Sequence, residues 1–248
     1  MTAPRTVAVI PARYGSSRFP GKPLTLIAGK PMIQRVYEQT AACKAVDAVL
    51  VATDDERIAA VVRAFGGTAA LTRADHPTGT DRIAEAVREV EADLILNVQG
   101  DEPLMPPAVL GALLGHMRRT GADMGTAAVP FSRTGRDPAD TNAVKVVVDA
   151  HGFALYFSRA QIPHCRGGGV AQEPLLHWGL YAYRREFLRQ FVAWPRGRLE
   201  ECEMLEQLRA LEHGARIFVL QTDQVSVGVD VPADVALVER LLREQGRD

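Results

Sequence analysis

The chain has 248 residues, 47% hydrophobic and 24% charged, with a formal net charge of -1. That is ordinary for a soluble globular domain, and a charge so balanced gives no global field toward nucleic acid or an anionic membrane. Three cysteines, Cys43, Cys165 and Cys202, form no CxxC pair and no metal-ligand spacing, which argues against a disulfide framework and fits a reducing compartment.

The opening run MTAPRTVAVIPAR holds too short an apolar stretch for a signal peptide, and nowhere do apolar residues approach the ~20 a membrane helix needs. A cytoplasmic location and no membrane partner are therefore expected. TVAVI (6–10) reads as a buried strand that runs into a loop, 11–23. PMIQRVYEQTAACKA (31–45) reads as a helix with Pro31 in its first turn. AVLVAT (48–53) is the next strand, DDERIAAVVRAFGG (54–67) a helix closed by glycine, and TAALT (68–72) a third strand. GTDRIAEAVREVEA (79–92) is amphipathic, with Ile83, Val87 and Val90 on one stripe, and DLILNVQGD (93–101) is a fourth strand. This alternation implies a mostly parallel sheet with helices on both faces.

After about residue 120 the alternation stops. MGTAAVPF (124–131) is strand-like, and NAVKVVVDAHGFALYFSR (142–159) reads as a hairpin turning near Asp149 to Gly152. HCRGGGVAQEP (164–174) is the most loop-like segment and, with three glycines, a candidate for mobility. HWGLYAY (177–183) is a strand, RREFLRQFV (184–192) and LEECEMLEQLRALEHG (199–214) are helices, and RIFVLQT (216–222) is a strand. A last helix follows GVDVP with Pro232 in its first turn. The expectation is one α/β domain over 1–248 with a smaller strand-rich insert at roughly 124–200.

The loop 11–23 carries Arg13, Gly15, Ser16, Ser17, Arg18, Gly21 and Lys22. In an open α/β sheet ligands bind outside the carboxyl ends of the strands, where this loop sits. Its backbone N–H groups can wrap an anion that the guanidinium and ammonium groups neutralise. It is neither GxxxxGK[ST] nor GxGxxG, so it is no standard P-loop and no dinucleotide fingerprint. Composition alone leaves open a merely solvated surface loop. NVQGDEP (97–103) places Asp101 and Glu102 after another buried strand, and GVDVP (228–232) places Asp230 after a further one. Carboxylates beside a phosphate loop suit Mg²⁺, which takes one or two of them plus substrate phosphates. An aspartate before a Pro-led helix is also the pattern of a helix N-cap.

IPARYGSSRFPGKPL, VATDDERI, RADHPTGTDRIAEA, NVQGDEP, NAVKVV, LYFSRAQIP, EMLEQLRALEHG and GVDVP occur in this order. Together they resemble the CMP-Kdo synthetases, the 3-deoxy-manno-octulosonate (Kdo) cytidylyltransferases, from about residue 7 to about residue 240. The resemblance implies a Rossmann-like nucleotidyltransferase fold whose insert serves substrate and dimer contacts. It implies attack of the sugar's anomeric hydroxyl on the α-phosphate of CTP, with CMP-Kdo and pyrophosphate as products and lipopolysaccharide assembly as destination. Lys22 and Arg13 would hold the triphosphate, completed by Arg18 and the Ser16 and Ser17 amides, and Asp101 and Asp230 would hold Mg²⁺. Pro11, Ala12, Gly15, Thr78, Gly79, Thr80, Arg82 and Gly100 would complete the nucleotide pocket. Gln99, Arg159, His177, Tyr181, Glu206 and Gln207 would bind Kdo, and the enzyme would be a homodimer.

Several of these residues have a plainer reading from the sequence alone. Thr78 or Thr80 suits a helix N-cap. Glu206 and Gln207 flank the apolar stripe Leu205, Leu208 and Leu211 and on such a helix usually face water. His177 fits a structural histidine, and Arg159 fits a sheet-edge cap. Tyr156, Phe157, Trp178 and Tyr183 suit either core or a dimer surface. The short 164–176 segment, with its GGG, and Trp178 depart from the family pattern beside the sugar pocket. They leave 8-amino-Kdo or another sugar acid as alternative substrates. A non-enzymatic nucleotide-binding domain is the rival class, which two metal carboxylates at the anion loop disfavour.

Overall fold

Strand β1, Thr6–Ala12, is buried along almost its whole length, because parallel strands bury both faces. The computed structural model describes residues 5–15, 19–166 and 173–247. Ser16, Ser17 and Arg18, and most of the glycine-rich segment, lie outside the described residues.

Contacts divide the chain into two compact units, Met1–Gly111 with Ser226–Asp248, and Ala112–Val225. In the first unit β1 is followed by a short hairpin of β2, Leu26–Ile27, and β3, Lys30–Pro31, and by helix α1, Met32–Ala41. Then come β4, Ala48–Thr53; α2, Glu56–Ala64; β5, Ala69–Leu71; α3, Gly79–Ala86; and β6, Leu94–Asn97. β6, β1, β4 and β5 lie side by side in that order, all parallel. All four therefore present their carboxyl ends, and the loops after them, along one edge. Asp55 caps α2 by accepting from the Arg57 N–H, and Thr78 caps α3 by accepting from the Asp81 N–H at 3.2 Å.

Helix α4, Pro107–Thr120, crosses the division between the units. The second unit holds β7, Met124–Pro130; β8, Lys145–Val148; β9, Ala154–Ser158; β10, Leu175–Arg184; α5, Arg185–Ala193; α6, Arg198–Glu203; α7, Gln207–Glu212; and β11, Ile217–Gln221. β7 pairs with β11 in parallel and with β10 antiparallel. β8 and β9 form the expected hairpin, in which Asp149 Oδ1 accepts from the backbone N–H groups of His151 and Phe153. Phe157, Trp178 and Tyr183 are core in this unit, and Tyr156 is half-buried.

The long helix expected over 199–214 is instead two. Met204, with φ of 52°, breaks it between α6 and α7. The cause is a buried ion pair: Arg209 donates to both Glu200 carboxylate oxygens, at 2.7 and 2.6 Å. Nine residues of straight helix would set those two about 13.5 Å apart, so the chain must turn for them to meet. Helix α4 was not read from the sequence, and the helices over 31–45 and 79–92 end earlier than expected, at Ala41 and Ala86.

The chain returns to the first unit through α8, Ala233–Glu244. Val229, Val238 and Leu242 pack with Ile27, Met32 and Leu104 in one apolar cluster. That cluster, near the chain's end, fixes where residue 230 lies.

Candidate active site

Along the carboxyl edge of the first unit's sheet lies a cleft of about 550 Å³. Five segments build it. The end of β1 and its loop supply Pro11, Ala12, Arg13, Gly15, Lys22 and Pro23; the turn after β6 supplies Gln99, Gly100 and Asp101. The residues after β4 and β5 supply Asp54, Ala74, His76, Pro77, Thr78, Gly79 and Arg82, and the C-terminal segment supplies Asp230.

The turn after β6 packs tightly on β1. A Cβ at Gly100 would stand 2.9 Å from the Pro11 carbonyl oxygen, so no side chain fits there. Beside it the Lys22 ammonium donates to Asp101 Oδ2 at 2.6 Å and to the Val229 carbonyl at 2.9 Å. The Val229 N–H donates to the Asp101 carbonyl at 2.9 Å. Val229 is thus held by both partners of the ion pair, and the apolar cluster beneath it holds it again. Asp230 is thereby brought to the same cleft as Asp101. It does not cap α8: the N–H groups of Asp230 and Val231 donate to Asp234, at 2.8 and 2.9 Å.

Glu102 lies just beneath. Burial pushes its carboxyl up to about 7; a hydrogen bond from Ser226 works the other way, and the charges of Asp101 and Asp230 add to the rise. Glu102 thus feels both aspartates, with Lys22 as a counter-ion. This excess of negative charge fits a divalent cation at Asp101 and Asp230.

On the β4–β5 side Arg82 is buried. Its guanidinium donates to Thr72 Oγ1 at 2.6 Å and lies 3.4 Å from Asp54 Oδ1. At that separation the contact is an ion pair, and Asp54 Oδ1 accepts no hydrogen bond. His76 is fixed through Nε2 on the Glu85 carboxylate, which also accepts from the Arg73 N–H at 3.3 Å. Although burial opposes it, these hydrogen bonds hold Glu85 below the ordinary carboxylate range.

The cleft therefore brings together Pro11, Ala12, Arg13, Gly15, Lys22, Thr78, Gly79, Arg82, Gln99, Gly100, Asp101 and Asp230. Thr80 is buried in α3 and does not line it. Thr78 lines it and caps the helix as well. Asp54 and His76 were not singled out from the sequence. They follow β4 and β5, so the strand-end rule that pointed to Asp101 would also have found them.

Gln99 apart, the residues expected at the sugar lie in the second unit. His177 and Tyr181 have ring centroids 5.5 Å apart, and Phe157 meets His177 edge-on at 4.9 Å. Burial pushes His177 down to about 3. Burial and the Glu206 charge push Tyr181 upward, which places Glu206 close to that ring. Arg159 donates to the carbonyls of Glu203 (2.7 Å), Thr141 (3.0 Å) and Met204 (3.3 Å), so it pins the α6–α7 corner. Its backbone N–H also donates to the Glu203 carboxylate, at 2.9 Å. Gln207 begins α7 buried, its Nε2 without a hydrogen-bond partner. These five residues thus gather around one corner of the second unit.

Residues 7–217 match a family model described as cytidylyltransferase. The chain is 53% identical to a 3-deoxy-manno-octulosonate cytidylyltransferase of Syntrophotalea carbinolica, over 95% of this chain and 98% of that one. It is 49% identical to the protein of the same name from Geobacter sulfurreducens, over 95% and 98%. A solved CMP:2-keto-3-deoxy-manno-octonic acid synthetase, complexed with CTP, superposes with a TM-score of 0.92 at 44% identity, covering 97% of this chain and 99% of the other.

Proposed function

The chain belongs to the 3-deoxy-manno-octulosonate cytidylyltransferases, and on that premise we propose how its own residues do the work. It transfers CMP from CTP to the anomeric hydroxyl of Kdo, releasing pyrophosphate and giving CMP-Kdo for lipopolysaccharide biosynthesis. The observation that carries the reading is the meeting of Lys22, Asp101 and Asp230 in one cleft from three distant parts of the chain.

Transfer of a nucleotidyl group is mainly a matter of positioning and charge neutralisation. The anomeric oxygen forms a bond to the α-phosphorus, and the bond from that phosphorus to the bridging oxygen of pyrophosphate breaks. The hydroxyl proton passes to solvent. Negative charge grows on the leaving pyrophosphate, so Lys22 and Arg13 are worth most there. The base and ribose lie against Pro11, Thr78, Gly79 and Arg82, toward the β4–β5 side of the cleft. No covalent enzyme intermediate is formed.

Asp101 and Asp230 would hold Mg²⁺, which when bound supplies charge neutralisation at the phosphates and lowers the pKa of the sugar hydroxyl. The gathering of acidic side chains around Lys22 supports this assignment. Arg159, His177, Tyr181, Glu206 and Gln207 form the sugar's partners in the second unit. Arg159 suits the sugar carboxylate, as a guanidinium held in place by three carbonyls. The working form is read as a cytoplasmic homodimer; among the described residues no helix is long and apolar enough to cross a membrane.

A matrix of CTP and UTP against Kdo, 8-amino-Kdo and sialic acid, read as pyrophosphate release with Mg²⁺, tests the reading. Release with CTP and Kdo above every other pair is the expected result. Tight CTP binding with no turnover of any sugar would overturn it.

A further inference from the structure

His177 and Tyr181 are four residues apart on one strand, a separation that in regular β-structure spans about 13 Å. Their ring centroids are only 5.5 Å apart. The cause is a bulge in β10. Trp178 pairs with Ala127 and Tyr181 pairs with Thr126, so three steps along β10 match one step along β7. A bulge disrupts the ladder locally, and here one side chain meets two of its carbonyls. Thr126 is fully buried, and its hydroxyl lies 2.7 Å from the Leu180 carbonyl and 3.1 Å from the Trp178 carbonyl. The same oxygen lies 2.9 Å from His177 Nε2.

A hydroxyl has one hydrogen to give and two lone pairs to accept with. A carbonyl can only accept, so at 2.7 Å from the Leu180 oxygen the hydroxyl must give its hydrogen to the bulge carbonyls rather than to His177. The hydrogen therefore goes to the carbonyls, and the hydroxyl oxygen must accept from Nε2–H. Which nitrogen of an imidazole acts as acceptor is set by the bond that the other one makes.

We infer that Thr126 is a positioning residue of the sugar site: it fills the β10 bulge and holds His177 as the Nε2–H tautomer, so that Nδ1 is presented as an acceptor for a sugar hydroxyl. The inference rests on reading His177 as a sugar-binding residue. Burial, which keeps the imidazole neutral, agrees with it. Thr126 touches neither the substrate nor the reacting atoms; it acts through His177 and through the bulge that brings Tyr181 beside it.

The test uses the full chain labelled with ¹⁵N-histidine, with His177→Gln to assign the resonance. The expected spectrum shows His177 protonated at Nε2 and bare at Nδ1. An Nδ1–H tautomer would overturn the inference whatever the variants do. In kinetics, Thr126→Val removes the hydroxyl at nearly constant volume. It should raise the KM for Kdo about tenfold, the factor of one ordinary hydrogen bond, and leave the KM for CTP within twofold. Thr126→Ser should restore the sugar KM, which a purely structural loss would not predict. An unchanged sugar KM in Thr126→Val, or an equal rise for CTP, contradicts the inference. If Thr126→Val does not fold, the wild-type spectrum and the Ser variant still decide. His177→Gln separates the two claims. If it leaves the sugar KM unchanged, the assignment of His177 falls and this inference with it. If it raises that KM while Thr126→Val does not, only the inference about Thr126 falls.

Discussion

Lys22 Nζ and Asp101 Oδ2 are 2.6 Å apart, although 79 residues separate them in the chain. They meet because β1 and β6 are neighbours in a parallel sheet and both strands end at the same edge. The pair is only partly exposed, at 15% and 35% of the side chains, so its field is not fully screened by water. A polyanion entering the cleft meets an ammonium already held in place by an acid and a carbonyl.

Lys22→Ala removes that ammonium and leaves Asp101 without its counter-ion. kcat/KM for CTP should fall by about 10²- to 10³-fold, the range for a lost charge-stabilising donor in an active site. Steady-state pyrophosphate release measures it. Because the contact adds little to the core, the melting temperature should move much less than the activity.

Gly100→Ala tests the packing of the β6 turn on β1. Its Cβ would lie 2.9 Å from the Pro11 carbonyl oxygen, and a backbone atom cannot yield as a flexible side chain can. The turn must shift, carrying Asp101 with it. A loss of at least about tenfold in kcat/KM is expected, since small misplacements of reacting groups are costly. Wild-type kinetics in this variant would show that the turn has slack.

Glu85 anchors the loop 73–78 by accepting from both the Arg73 N–H and His76. Glu85→Ala frees this loop, which lines the nucleotide cleft through Ala74, His76, Pro77 and Thr78. The KM for CTP should rise about five- to tenfold with a smaller change in kcat, as for loss of one or two hydrogen bonds that act before the chemical step.

His177 links stability to pH. Its folded-state value is depressed from 6.5 to about 3, so between those limits the unfolded chain binds a proton that the folded chain refuses. Stability contributed by this site is therefore full above about pH 6.5 and is lost as the pH falls toward 3, by up to about 1.4 kcal/mol per pH unit. Urea unfolding of the wild type and His177→Gln between pH 4 and 7.5 reads this directly. The wild type should lose stability faster than the variant on acidification, and parallel curves would contradict the assignment of that slope to His177.

Much of this was legible from residue patterns. The buried strands of the first half announce themselves by unbroken apolar runs, and the strand-end rule then singles out Lys22 and Asp101. The β8–β9 hairpin follows from the Asp149–Gly152 turn. The break at Met204 was not legible, because the apolar spacing of 199–214 suits one helix and the Arg209–Glu200 pair that bends it is visible only in three dimensions. The bulge in β10 was hidden for a similar reason: Gly179 in a strand hints at one, but its partner Thr126 lies 52 residues away from Trp178. Thr80 reads like a site residue beside Thr78, yet the turn of α3 buries it. Asp54 and His76 carry no spacing signature, and only their place after β4 and β5 hints at the cleft that they line.

The central claim is that Asp101 and Asp230 act together on the phosphates held by Lys22. Pyrophosphate release from CTP and Kdo, followed across a Mg²⁺ titration in the wild type, Asp101→Asn and Asp230→Asn, tests it most directly. The account predicts that release needs Mg²⁺ and that each variant loses about 10²-fold or more in kcat. Either variant turning over within twofold of the wild type, at the same Mg²⁺ requirement, would contradict it.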